Sequence, residues 1–344
     1  MQRQSPESYR ARPTIRDVSE RAGVSTATVS RVLTGLGGAS KETVRRIERV
    51  AREIGYQPNR MAQGLRATRS KLVGVVIPDL QNPFFTGIVG GIEEVLHQEG
   101  FTLFLSNSDE SLEREQRELQ TLRGERVSGA LLIPCRARAP HYLDLTKSAM
   151  PVVTIDRELD EVNLDCVTSA NESGARQAVA HLLRHGYATI GLVNGPAHYG
   201  VAREREAGYR QAFVSAGRRP RSTWMASGDF RIEGGYEATR AILSKPQRPR
   251  ALFVANFLMA LGALRAIREL GLQIPQDVAL MTFDDMPWGA AMNPPLSTVA
   301  QPVRELGRTA ATLLLERLTD PSRAVRRIVL ETELVLRDSC GTRK

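Results

Sequence analysis

TIRDVSERAGVSTATVSR, residues Thr14–Arg31, contains two helix starts and one tight turn within eighteen positions. Thr14, with Asp17 three residues on, and Ser25 each offer a side-chain oxygen to the unpaired N–H groups of a helix start, so helices are predicted over Ile15–Ala22 and Thr26–Leu33. Gly23 permits the sharp connection of a helix-turn-helix. Further along, Ser40 caps a third pattern, Lys41–Ile54, in which Val44, Ile47, Val50, Ala51 and Ile54 recur at helical spacing and form a stripe able to pack across the first two helices. Val18, Val24, Val29, Val32 and Leu33 read as the core of this small unit of roughly 45 residues.

Charge marks the same region. Residues 1–71 hold 15 Lys and Arg against 6 Asp and Glu, while residues 72–344 hold 32 of each, so the whole excess of +9 lies in the first fifth of the 344-residue chain. A compact basic segment on a neutral body is the electrostatic footprint of a nucleic-acid-binding module. A basic tail that merely solubilises is the other reading that charge alone allows. The arm before Pro13 is polar and basic with no apolar run behind it, which gives no secretion signal and predicts a cytoplasmic address. Cys135, Cys166 and Cys340 are far apart and without CxxC spacing, the pattern of reduced thiols rather than of disulfides or a zinc site.

From Leu72 onward, β-rich runs alternate with amphipathic helices. The runs are LVGVVI (72–77), FTLFLS (101–106), GALLIP (129–134), PVVTID (151–156), TIGLVN (189–194), ALFVAN (250–255) and VALMTF (278–283). Helices are predicted near 86–99, 111–123, 172–185, 202–216, 232–244, 257–270 and 302–318, with one closing strand near Arg327–Leu336. Near-continuous apolar strands between helices mean parallel sheets covered on both faces. About 270 residues of this rhythm is generous for one sheet and implies two α/β lobes, with ligands held beyond the carboxyl ends of the strands.

The AGVSTATVSR core, followed by GYQPN and the basic RMAQGLRATRS, resembles the DNA-binding headpiece of the LacI/GalR family of bacterial transcription regulators, and the likeness resumes through the body. It implies an all-α three-helix headpiece plus an α/β sensor core of two parallel-sheet lobes, periplasmic-binding-protein-like. The division is a disordered arm at 1–12, the helix-turn-helix at 13–57, a hinge at 58–71, an effector-binding core at 72–338 and a tail at 339–344. Within the core, the first lobe takes about 72–168 and 300–326, and the second about 169–298 and 327–338. A recognition helix presents its N-terminal residues to the major groove, which here are Thr26 and Ala27, with Arg31 one turn on and able to pair bidentately with guanine. Arg16, Ser25, Thr28 and Ser30 suit phosphate contacts. In the hinge, the resemblance places Asn59, Arg60, Ala62 and Arg66 on DNA and makes Leu65 the residue that wedges into the minor groove, beside a helix-weakening Gly64.

The resemblance carries effector binding onto Asp79, Asn82, Phe84, Phe85, Asp156, Arg205, Phe230, Asn256 and Asp284, a set with aromatic faces for C–H surfaces and polar groups for hydroxyls. Two departures bear on the ligand. Phe257 stands where the family usually has Asp, and Thr282 stands where it usually has Gly. A more apolar or differently substituted ligand than a plain sugar stays open, as does Phe257 being simply a packing residue at a helix start. His181 and His185 have metal-pair spacing but no third ligand or HExxH glutamate, and no phosphate-binding glycine loop occurs, so neither metal nor cofactor is expected. Asp284 and Asp285 diverge from a strand end and make no acid–base pair. The expected protein is a homodimeric, ligand-responsive regulator of a pseudo-palindromic double-stranded DNA operator, more a repressor than an activator, with no membrane partner. A transporter's solute-binding protein lacks a helix-turn-helix, and a sugar-modifying enzyme needs a catalytic pair absent here.

Overall fold

The computed structural model describes residues 13–33, 37–56 and 70–341. It divides at Ser70/Lys71 into two compact units. In the first, α1 (Ile15–Ala22), α2 (Thr26–Leu33) and α3 (Lys41–Glu53) pack through Val18, Ala22, Val29, Ile47, Val50 and Ala51. Thr14 and Asp17 form a reciprocal capping box, and Ser40 Oγ accepts from the N–H of Thr43. Gly23 takes the left-handed conformation at φ +63°, where a side chain would be strained. The Ser19 hydroxyl donates to the Val24 carbonyl at 2.6 Å and fastens the turn.

The second unit contains two lobes with the same strand plan. β1 (Leu72–Ile77), β2 (Thr102–Asn107), β3 (Gly129–Leu132), β4 (Val152–Ile155), β5 (Asp165–Ser169) and β11 (Arg327–Leu330) form a wholly parallel sheet in the order β11-β5-β4-β3-β1-β2. The other sheet runs β12-β10-β9-β8-β6-β7, from β6 (Ile190–Asn194), β7 (Met225–Ser227), β8 (Ala251–Val254), β9 (Ala279–Phe283), β10 (Ser297–Ala300) and β12 (Glu333–Val335). Only β12 is antiparallel to its neighbour there. Helices α4 (Pro83–Gln98) and α10 (Val303–Thr319) cover one face of the first sheet and α5 (Leu112–Gly124) the other. In the second lobe, α6 (Asn171–Arg184) and α7 (Gly200–Ser215) lie opposite α8 (Ile232–Leu243) and α9 (Phe257–Glu269). Strand side chains alternate between these layers, as with Phe253 on one face and Leu252 and Val254 on the other. The paired helices touch backbone to backbone: a Cβ on Gly307 of α10 would meet the Ile88 carbonyl of α4 at 2.1 Å.

Several elements depart from the sequence reading. The single closing strand over Arg327–Leu336 is two, and because β11 joins the first sheet and β12 the second, residues 327–330 belong with the first lobe rather than the second. β5, β7 and β10 are strands the apolar runs do not announce, being short and mixed in polarity (DCVTS, MAS, STVA). Helix α4 begins three residues before its predicted start, with Asn82 as cap and Pro83 in the first turn.

The chain crosses between the lobes three times, at 169–171, 300–303 and 330–333. Within the first lobe, the run from α10 into β11 is anchored by Asp165 at the start of β5. Its carboxylate accepts from Arg317 Nε at 3.0 Å, from Arg323 Nη2 at 2.8 Å and from the Arg326 N–H at 2.8 Å, so the end of α10 and the loop into β11 converge on one buried charge. Burial works against that charge, but the hydrogen bonds and the two guanidiniums outweigh it and hold the carboxyl below its usual range.

Candidate functional site

Thr26, Ala27 and Arg31 are exposed at the start and middle of α2, and Ser25 and Arg16 are exposed beside them. Ser25 Oγ accepts from the Thr28 N–H at 3.2 Å and meets its hydroxyl at 2.9 Å, so both side chains are held at the helix start. Thr28 and Ser30 are half-buried. On α3, Arg45, Arg46, Arg49 and Arg52 add to the positive surface of this unit. Asn59, Arg60, Ala62, Leu65 and Arg66 lie outside the described residues.

In the second unit, a cleft between the lobes is lined by all nine of Asp79, Asn82, Phe84, Phe85, Asp156, Arg205, Phe230, Asn256 and Asp284. They converge because nearly all of them follow the carboxyl ends of strands, where doubly wound sheets open a crevice. Asp79 and Asn82 follow β1, Asp156 follows β4, Phe230 follows β7, Asn256 follows β8 and Asp284 follows β9. Asp156, Phe230 and Asp284 have left-handed backbones at φ +66°, +64° and +72°, a conformation that costs roughly 1–3 kcal/mol each and turns each side chain inward as its strand ends.

Arg205, 4% exposed, is the central cation. Its Nε donates to Asn171 Oδ1 at 2.9 Å, its Nη1 to the Ala255 carbonyl at 2.5 Å, and its guanidinium lies 3.8 Å over the Phe283 ring. Asp284 Oδ1 accepts from Gln301 Nε2 at 2.6 Å. Asp156 Oδ1 is buried without a partner, as is Gln301 Oε1. Burial raises both carboxyls, and Asp156, whose neighbours Arg157 and Arg205 only partly offset it, is pushed up to about 6. Burial likewise lowers the Arg205 pKa, opposed by Asp284 and Asp156. A carboxyl raised from 3.8 to about 6 leaves the folded state holding a proton that the unfolded chain has released. Its stabilising contribution is full below the unfolded value and lost as pH rises through 6, by up to about 3 kcal/mol. Denaturant titrations of Asp156→Asn against wild type will show the variant gaining relative stability from pH 4.5 to pH 7.5; a constant difference across that range would refute the assignment.

Several residues serve the fold as well as the cleft. Asn256 caps α9 through Oδ1, accepting from the Met259 N–H, while its Nδ2 donates to the Phe230 carbonyl at 2.9 Å, so its amide fixes the loop that carries Phe230. Asn82 Oδ1 similarly accepts from the Phe84 N–H at 3.1 Å, which leaves Nδ2 for other partners. The Phe230 ring lies against Gly195, where a Cβ would meet it at 2.0 Å. Phe257 does not line the cleft. It is 2% exposed and packs edge-on against Trp288 at 5.9 Å, and only its N–H faces Asp284. The packing reading therefore holds, and the apolar ring does not alter the cleft wall.

Sequence reasoning missed Glu110, Arg157, Val201, Asp229, Arg231 and Gln301, which also line the cleft. Arg157 forks onto both oxygens of Glu110 at 2.8 and 3.0 Å and donates to the Pro134 carbonyl. The Tyr199 hydroxyl of the second lobe donates to Glu110 Oε2 at 2.9 Å, and its ring lies 4.4 Å from the Arg157 guanidinium. Arg136 reaches across to Tyr199 and His198, and Arg231 to Asp109 at 3.5 Å. The lobes thus meet through a row of charged and aromatic pairs at the cleft mouth. His181 and His185 stack at 5.1 Å, and among the described residues no group of three or more His, Cys, Asp or Glu is placed to hold a metal. Among the same residues no helix is long and apolar enough to cross a membrane.

A basic helix-turn-helix unit and a two-lobed core with a polar cleft, carried on one chain, define a DNA-binding regulator of the ligand-sensing kind. Comparison with known proteins agrees. Residues 14–59 match the family of bacterial regulatory proteins named lacI, and residues 179–340 match the periplasmic binding protein-like domain. The chain is 33% identical over 326 residues to the ribose operon repressor of Haemophilus influenzae, covering 95% of this chain and 98% of that protein. It is 33% identical over 332 residues to the HTH-type transcriptional repressor PurR of Pasteurella multocida, covering 96% and 99%. The Lac repressor dimer bound to operator and the anti-inducer ONPF superposes with a TM-score of 0.86 at 30% identity, over 96% of this chain and 99% of that one. This chain belongs to the lacI family of bacterial regulatory proteins: it is a DNA-binding transcription regulator with a periplasmic-binding-protein-like core, and not an enzyme.

Proposed function

We propose that the protein is a cytoplasmic repressor that binds a pseudo-palindromic operator as a homodimer, with an affinity set by a small sugar-like ligand held between the lobes. The observation that carries the reading is the convergence of nine inferred effector residues on one inter-lobe cleft of a chain that also carries an exposed recognition face at Thr26, Ala27 and Arg31. Twofold DNA suits two headpieces, and the hinge residues Asn59, Arg60, Ala62, Leu65 and Arg66 would follow the duplex between them, with Leu65 entering the minor groove. Ligand that favours one arrangement of the lobes changes DNA affinity, and DNA must change ligand affinity by the same factor.

Arg31→Ala tests the recognition face. Loss of a bidentate guanine contact costs about 1–3 kcal/mol, so operator affinity drops roughly 5- to 150-fold while affinity for unrelated duplex at the same salt changes little. An equal loss on both DNAs would make Arg31 a phosphate contact. Thermal melting of the full chain against sugars and nucleosides, followed by operator titration with each stabilising compound, tests the switch. A compound that raises the melting temperature and leaves operator affinity unchanged argues against it.

A further inference from the structure

Resting on the reading of the cleft as the effector site, we propose that it is built for an uncharged ligand rich in hydroxyl donors and rejects the phosphorylated or carboxylated counterpart of that ligand. Every arginine that lines the cleft is already engaged. Arg157 is forked onto Glu110 and bonded to the Pro134 carbonyl, Arg205 holds Asn171 and the Ala255 carbonyl between Asp156 and Asp284, and Arg231 sits against Asp109. Five carboxylates line the same walls against these three guanidiniums. An incoming phosphate recruits Arg157 or Arg205 only by stripping it from buried or half-buried partners whose charge is then left uncompensated, whereas the pair of Arg231 with Asp109 is solvent-exposed and screened.

Among the described residues, three buried atoms on cleft-lining side chains lack a hydrogen bond; Arg157 Nε faces Asp156 Oδ2 at 3.7 Å, and the other two are acceptors. Asp156 Oδ1 and Gln301 Oε1 are buried acceptors on residues 5% and 8% exposed, and both belong to side chains lining the cleft. They call for donors, which hydroxyl groups supply and phosphate oxygens do not. Phe84, Phe85 and Phe230 add apolar faces for the C–H surface of such a ligand. Like-charge juxtaposition in a desolvated site disfavours the anion, so a neutral compound is expected to bind about 100-fold more tightly than its phosphate ester.

The test uses the full-length protein and matched pairs: pentoses, hexoses, disaccharides and nucleosides, each beside its phosphate ester, titrated by calorimetry at one ionic strength. Binders confined to the neutral members, with binding lost in Asp156→Ala, support the proposal. A phosphate ester that binds as tightly as its parent overturns the charge rule while leaving the effector site standing. Binding by no member of either class removes the effector reading, and the inference falls with it. A second arm needs no ligand. Inorganic phosphate, compared with chloride at equal ionic strength, is expected to stabilise Glu110→Gln, whose Arg157 has lost its anionic partner, by several degrees more than wild type. An identical response of the two proteins would show that occupancy of Arg157 is not what excludes anions.

Discussion

Arg205→Met will remove about 3–5 kcal/mol from the stability of the core at pH 8 and abolish the ligand-induced rise in melting temperature. Deleting one partner breaks a buried charge cluster and leaves the remaining charges uncompensated. Asp156 and Asp284 stay buried, the Asn171 Oδ1 and Ala255 carbonyl acceptors lose their donor, and the methionine stem still fills the space over Phe283. The signature of the mechanism is its pH dependence. Without Arg205, the two carboxyls, already raised by burial, rise further, so the folded variant takes up protons that the unfolded chain does not. The deficit relative to wild type should shrink between pH 8 and pH 5. Chemical denaturation at the two pH values checks it, and an equal deficit at both would mean that packing, not charge, is what Arg205 supplies. Arg205→Lys keeps the charge without the fork and should retain part of the stability with little ligand response.

The second large effect lies far from the cleft. Asp165→Asn keeps the shape of the side chain but leaves Arg317 and Arg323, both mostly buried, facing an uncharged amide. A loss of about 3–5 kcal/mol is expected, on the order of 10 °C in melting temperature for a core of this size. Because the native carboxyl is depressed, its contribution is present above the unfolded pKa and disappears as pH falls through the folded value. Wild type and variant should therefore converge in acid. Calorimetric scans from pH 7 to pH 3.5 would show the convergence, and a gap that persists throughout would place the effect in hydrogen-bond geometry alone. Operator binding at low temperature, where both proteins are folded, should be unaffected.

Local signals explain what could be read in advance. The Thr14–Asp17 box, Gly23 and Ser40 act within a few residues of themselves, so the helix-turn-helix is legible from chain neighbours alone. Asp156, Asn256 and Asp284 are supplied by the family resemblance rather than by local pattern, and each lies within two residues of the end of a strand legible in sequence, VVTI, ALFV or ALMTF. Glu110 and Gln301 escape because they follow strand β2 at an edge and the weakly announced β10, and their importance comes from partners 47 and 17 residues away. RIVLETELVL offers no glycine or proline at Glu331–Thr332, so nothing within the segment signals that the chain leaves one sheet there for the other. Phe257 shows the opposite case: a substitution noticed in sequence whose meaning, a ring turned into the core, depends on Trp288 thirty-one residues on.

The interleaving of the lobes also bears on biosynthesis. Neither sheet is complete until residues 327–335 are available, because β11 forms the edge of one and β12 the edge of the other. The helix-turn-helix, made wholly of near neighbours, can fold as it leaves the ribosome, whereas both lobes must wait with one edge unpaired for the same short stretch of chain. A nascent chain stalled before Arg327 thus presents two open parallel-sheet edges at once, and it is this intermediate, rather than the finished protein, that would most need a chaperone.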